Sequence, residues 1–253
     1  MDLDLRVVRS GITRAALIVS LAIVVATGIA AKTAYKMKSL GNTISVTGSA
    51  ERMISSDTVK WTGRISKNVE ADGLKDGNAE IKKRLADALA LLKAAGVKDA
   101  EITVKPVNVY AVYGTDEGKP YGTSSRIAGY GLDQSFVVES SDVKGVTKLA
   151  QDVADKLLEG GVVFTTDSLE YYYSKLAELK LDMLSEATKN AKDRAERIVS
   201  STGGTLGPVS SAGMGVFQVT AVNSTEISDY GAYDTSSIDK KVTAVARAEF
   251  LLR

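Results

Sequence analysis

Two stretches of the chain, Ser237-Ile238-Asp239-Lys240 and Ser141-Asp142-Val143-Lys144, carry the S-x-x-K spacing in which a lysine amine can activate a serine hydroxyl. That chemistry also needs S-D-N and K-T-G partners and a helix start inside a catalytic fold, and the chain has neither partner motif. A short match in a chain with many Ser and Lys residues carries little weight alone. Glu226, Asp229, Asp234 and Asp239 offer oxygen ligands of the kind calcium takes, but their spacing fits no EF-hand or glycine-repeat loop. The stretch reads first as a solvated or subunit-contacting loop, with metal binding as the lesser alternative. GGTLG at 203–207 is a helix-ending loop, since no Gly-Lys-Ser/Thr follows to cradle a phosphate.

The residue types that are missing exclude more than those present suggest. Zero histidines remove Ser-His-Asp and Cys-His arrangements and histidine-ligated zinc or haem; zero cysteines remove disulfides and thiolate chemistry. No cofactor, metal site or enzymatic activity is expected. Net charge is +1, with residues 1–38 at +4 and the remainder at −3. A slightly acidic body lacks the cationic surface that phosphate backbones require, so no nucleic-acid partner is expected.

Tyrosines are the remaining side chains grouped in a telling way. Tyr110, Tyr113, Tyr121 and Tyr130 surround the loop-like stretch 114–125, and Tyr171, Tyr172 and Tyr173 end a strand pattern. An apolar ring with a polar tip suits an interface. Core packing accounts for a share of them, and Tyr110, Tyr113, Tyr121, Tyr171 and Tyr173 are the candidate subunit contacts.

The elements that position these residues follow from periodicity. Alternation predicts strands at 42–50, 58–69, 101–113, 127–139, 162–173, 209–222 and 242–252. Pro106, which supplies no ladder donor, marks an edge or bulge. Helical stripes predict helices at 73–95, from the N-cap Asp142 to 159, and at 174–202. Ala187, Ala191 and Ala195 in the last stripe imply close approach to a sheet. Strand–helix–glycine–strand occurs twice, hinting at two split βαβ-like units. The fold class is α+β: an antiparallel sheet with helices packed on one face and one long C-terminal helix.

A single N-terminal transmembrane helix precedes this domain. AALIVSLAIVVATGIAA, at residues 15–31, has no charge, amide or proline. About 17 to 20 apolar residues span the roughly 30 Å hydrocarbon core of a bilayer. A cleaved signal peptide is the alternative, but the apolar run exceeds the usual h-region and Gly28-Ile29-Ala30 is a poor exit. Arg6, Arg9 and Arg14 face Lys32, Lys36 and Lys38 across the segment, so positive charge does not set orientation. A short cytoplasmic tail (1–14), the anchor (15–31), a juxtamembrane linker (32–41) and an extracytoplasmic domain (42–253) are expected. That places the domain in the periplasm or outside a bacterial plasma membrane. Ala22, Ala26 and Ala30 fall on one helix face, a spacing that lets helices pack closely in lipid.

Certain residues point to a family. They are ISVTGSA at 44–50, Asn78-Ala79, LKAAGV at 92–97 with Glu101-Ile102-Thr103, and Gly129-Tyr130. EATKNAKDRA at 186–195, LGPV at 206–209, GVFQV at 215–219, Ser228-Asp229-Tyr230-Gly231, Ser236-Ser237 and Lys240-Lys241-Val242 complete the set. Together they resemble the SIMPL-domain family, a group of unknown function that includes a Brucella periplasmic antigen, and within it a membrane-anchored bacterial subgroup. The resemblance covers residues 42–253. Ser56-Asp57 departs from the Pro-Asp found in many members. The resemblance implies an exported protein, often a ring- or channel-like homo-oligomer with links to envelope or stress tolerance, and supplies no catalytic residues. Two functions remain in view. One is a structural protein whose partners are itself and the bilayer; the other is an extracytoplasmic module binding a small molecule or envelope protein.

Overall fold

The structure, a computed structural model, describes residues 5–39, 42–114, 126–159 and 163–253. In chain order the elements are α1 (Leu5–Ser39), β1 (Thr43–Ser55), β2 (Thr58–Glu70), α2 (Leu74–Ala94), β3 (Ile102–Val104), β4 (Asn108–Tyr113) and β5 (Ile127–Ser140). Then come α3 (Val143–Glu159), β6 (Phe164–Tyr172), α4 (Leu176–Ser201), β7 (Leu206–Met214), β8 (Gln218–Ala221), β9 (Ala232–Tyr233) and β10 (Asp239–Leu252). The α+β class and the long C-terminal helix read from the sequence hold. Antiparallel pairing dominates, and β8 with β9 is parallel.

Among the described residues the strands form two sheets, a division that alternation patterns do not encode. One runs β3–β5–β2–β6 with β4 also on β5; the other runs β1–β10–β8–β9 with β7 also on β10. Between β1 and β2 the chain changes sheet within a single turn. Ser56 N–H donates to Ile238 O at 2.9 Å, and the next amide, Asp57 N–H, donates to Tyr172 O at 3.0 Å. By contacts the chain divides into two compact units, Met1–Ala50 with Leu184–Gly215 and Val245–Arg253, and Glu51–Met183 with Val216–Ala244.

The second unit contains both split βαβ arrangements. β5 lies between β2 and β4 and is antiparallel to each; β2 lies between β5 and β6 and is antiparallel to each. This is the ferredoxin-like order, with α2 and α3 as the two crossovers. Alternation in β2 sends Val59, Trp61 and Ile65 inward, where they meet Leu85, Ala88 and Leu92 of α2 and Val146, Val153 and Leu157 of α3. Trp61 and Phe136 meet edge to face at 5.3 Å between ring centroids. Gly63 makes room for these rings: a β-carbon there would fall 2.5 Å from Phe136. Asp142 caps α3, its Oδ1 accepting from Gly145 N–H at 2.9 Å. The strand expected at 101–113 is broken into β3 and β4 around Pro106. Gln134 Nε2 covers the gap by donating to Lys105 O at 3.0 Å.

In the first unit, α4 lies on β1 and β10 through its alanine stripe. Ala191 and Ala195 pack with Ala248 and Phe250, flanked by Ile44, Val46 and Leu206. A β-carbon at position 48 would lie 2.2 Å from Ala187 O and 2.3 Å from Ala191 N, so only glycine admits this helix. β10 is the interior strand of its sheet, bonded to β1 on one side and to β7 and β8 on the other.

Candidate functional site

Polar chemistry concentrates in residues 218–240 of the second unit. β10 sends Val242, Ala244 and every second residue inward, and its first turn puts Lys240 on that same register. Lys240 is 1% exposed. Its ammonium donates to Asp234 O at 2.7 Å and to Ser237 O, with Asp234 Oδ2 at 3.6 Å. The Asp234 carboxylate in turn accepts from Ser236 N–H at 2.9 Å, Ser236 Oγ at 2.7 Å, Ser237 N–H at 3.3 Å and Ser237 Oγ. Burial pushes this carboxyl up, but the two serine hydroxyls and the Lys240 charge outweigh it and hold Asp234 well below the usual range. Burial pushes Lys240 down, against the opposing pull of Asp234.

This geometry answers the first S-x-x-K match. Lys240 meets Ser237 through the main-chain oxygen, while the Ser237 hydroxyl donates to Asp234. Two of the ammonium's three protons go to main-chain oxygens, and its charge lies beside the Asp234 carboxylate. The arrangement therefore ties the loop 234–237 to β10 and pairs no nucleophile with a base. In the second match, Ser141 and Lys144 are exposed on either side of the capping Asp142.

The acidic stretch is divided between two duties. Asp234 closes the knot, while Glu226, Asp229 and Asp239 are exposed. Among the described residues no group of three or more carboxylates is arranged to hold a metal. The loop 222–231 is braced from below by Gln218, whose amide pairs with Ser228 as a strand would: Nε2 donates to Ser228 O at 2.6 Å and Oε1 accepts from Ser228 N–H at 3.4 Å. On either side of that brace Ile227 is 83% and Tyr230 97% exposed.

The tyrosines separate. Tyr110 and Tyr113 are exposed on β4, and the Tyr110 ring lies over Gly131, where a β-carbon would meet it at 2.3 Å. Tyr171 is not available to a second subunit: it is 5% exposed, and its hydroxyl shares a 3.0 Å hydrogen bond with Thr147 Oγ1 of α3. The reason is register, since β6 turns Tyr171 toward the core and Tyr172 toward Tyr233, at 6.3 Å between centroids. Tyr130 and Tyr173 are half-buried. Tyr121 lies outside the described residues.

Two structural residues carry little sequence signal. Gln218 and Asp57 are polar residues whose partners are distant or out of pattern; Asp57 clamps the entry to α4 by accepting from Ser174 N–H and Oγ at 2.8 and 2.7 Å. Lys240 had a readable signal, because extending the β10 alternation by one pair of residues puts it on the inward face.

In α1, Ala16–Ala34 is long and apolar enough to cross a membrane, as a membrane anchor or a signal sequence would be. Ala22, Ala26 and Ala30 are exposed on it. Within Ala16–Ala34, Ser20, Thr27 and Thr33 donate to the carbonyls of Ala16, Ile23 and Ile29 at 2.8–2.9 Å. The molecule thus combines one apolar N-terminal helix with an α+β body containing a split βαβ pair. The SIMPL family model, described as a protein of unknown function (DUF541), matches residues 44–250, and the chain belongs to that family. No curated protein matches it.

Proposed function

We propose that this chain is a membrane-anchored extracytoplasmic protein that assembles with copies of itself into a ring, cage or channel-like structure, and that it performs no catalysis. The observation that carries the reading is the 19-residue apolar stretch Ala16–Ala34, followed directly by a SIMPL domain. Residues 1–14 stay in the cytoplasm, and residues 42–253 lie in the periplasm or outside the cell of a bacterium. Self-association draws support from the small-residue face of Ala22, Ala26 and Ala30 and from the exposed Tyr110 and Tyr113. Tethering copies to one surface raises their effective concentration, so modest contacts suffice. Absence of catalysis draws support from Lys240, a buried ammonium that donates to two main-chain oxygens of the loop it braces, while the Ser237 hydroxyl donates to Asp234.

Mass photometry of detergent-extracted full-length protein, with intact-mass determination of the same sample, tests this. The expected result is a discrete oligomer whose subunits retain the apolar helix. A monomer at micromolar concentration, or a mature chain trimmed near Ala30, overturns it.

A further inference from the structure

The second unit carries a protruding loop tip and, on other elements, a groove of matching chemistry. The tip is Glu226-Ile227-Ser228-Asp229-Tyr230. Its two apolar side chains are among the most exposed in the molecule, yet Gln218 fixes the main chain at Ser228 on both its N–H and its C=O. A braced tip loses little conformational entropy on docking, which is how preorganised contacts gain affinity. Glu226 precedes Ile227 and Asp229 precedes Tyr230, and neither carboxylate has a cationic partner among the described residues.

The groove lies between α2 and α3, a cavity of about 710 Å3 whose apolar lining is Ala90, Leu91 and Leu157. Lys83, Arg84 and Lys156 stand on its rim, with Glu80 and Asp87. Glu80 is already engaged by Lys67 and Arg84. Lys83 and Lys156 have no carboxylate partner among the described residues. The groove thus sets apolar side chains beside two unpaired ammonium groups and one unpaired carboxylate, Asp87, a net positive rim, while the tip sets two apolar side chains beside two unpaired carboxylates.

We propose that the tip Glu226–Tyr230 of one copy docks in the α2–α3 groove of a second copy, with Ile227 and Tyr230 on the apolar lining and Glu226 and Asp229 against Lys83 and Lys156. Because tip and groove are different surfaces of one chain, the contact is head-to-tail. Repetition closes into a ring if the rotation permits, as an isologous contact would not. The inference rests on the proposed self-assembly and names the surface that performs it.

The chain has no cysteine, so introduced ones report without background. Full-length Thr225→Cys and Ala90→Cys chains, mixed in detergent and treated with a short bis-maleimide, are expected to give a heterodimer that neither gives alone; a chain carrying both gives a ladder. Lys83→Glu with Lys156→Glu is expected to lower oligomer mass at least tenfold in apparent affinity, and adding Glu226→Lys with Asp229→Lys to restore it, which a folding defect would not permit. A wild-type oligomer with no cross-link and no response to charge reversal overturns this contact while leaving self-assembly standing. A cross-link only to a different protein overturns it likewise. A monomeric wild type overturns both.

Discussion

Lys240 is an ammonium enclosed by main-chain oxygens, held where the β10 alternation would otherwise place a valine or alanine. Removing it leaves Asp234 O and Ser237 O without donors and the Asp234 carboxylate without its countercharge. Lys240→Ala is expected to cost about 3–5 kcal/mol, the scale of a broken buried pair. Lys240→Met refills the volume but not the donors, and should cost roughly 1–3 kcal/mol. Thermal unfolding of the full chain in detergent separates the two; equal and small shifts would show that the knot contributes nothing. Ser56 gives the opposite sign. Its hydroxyl is buried with no partner, while its N–H bonds Ile238 O. Ser56→Ala should therefore be neutral or stabilising by up to about 1 kcal/mol, and Ser56→Pro destabilising through the lost N–H. A clear drop in melting temperature for the alanine variant would contradict this.

At the scale of elements, the close approach of α4 to β1 depends on three small side chains and one missing one. Ala191→Leu adds bulk where Ala191 is fully buried, and should cost about 1–3 kcal/mol or more. Gly48→Ala is harsher, because the obstruction is the α4 main chain, which cannot rotate away as a side chain can. Melting of either variant within a degree of the parent would refute the packing argument. That alanine stripe was legible in the sequence, as were the caps, most strand limits and the duplicated split unit, because each is a local periodic signal. What escaped was non-local. The partner change at Ser56-Asp57, which separates the sheets, depends on Ile238 and Tyr172, far along the chain. The strand expected at 209–222 is interrupted after Met214 and resumes as β8: both pieces pair with β10, but the four steps from Met214 to Gln218 lie opposite three from Ala246 to Thr243. Tyr171 illustrates the same limit: a run of three tyrosines fixes alternation but not which face is inside. Of the candidate site, the acidic residues were visible and their division of labour was not.

For the molecule as a whole, charge behaviour follows from which groups titrate. Without histidine, stability is expected to stay flat between about pH 5 and about pH 8. Below that, four carboxylates govern. Glu101 is held low by the Ser140 hydroxyl and Lys98 N–H, and Glu249 by the Thr43 and Ser211 hydroxyls. In Asp57 and Asp234 burial opposes the shift, and hydrogen bonds from Ser174, and from Ser237 and Ser236, prevail. Each has a folded pKa below its unfolded one, so the unfolded chain binds more protons near pH 4. The stability they contribute is complete above the ordinary carboxylate range and is lost as pH falls through it. A melting temperature that falls below about pH 4, with a shallower fall in Asp234→Asn, is the expected profile. A constant value down to pH 2 would remove these bonds from the account.

The position of β10 bears on how the protein is made. β10 follows β1, β7 and β8 in the chain and is the strand to which all three attach, so β1 waits for its neighbour until residues 239–252 have been made. A nascent chain can form the ferredoxin-like part early but must leave the other sheet open, with β1 unpaired on both edges. Emergence of β10 is then the moment at which that sheet closes.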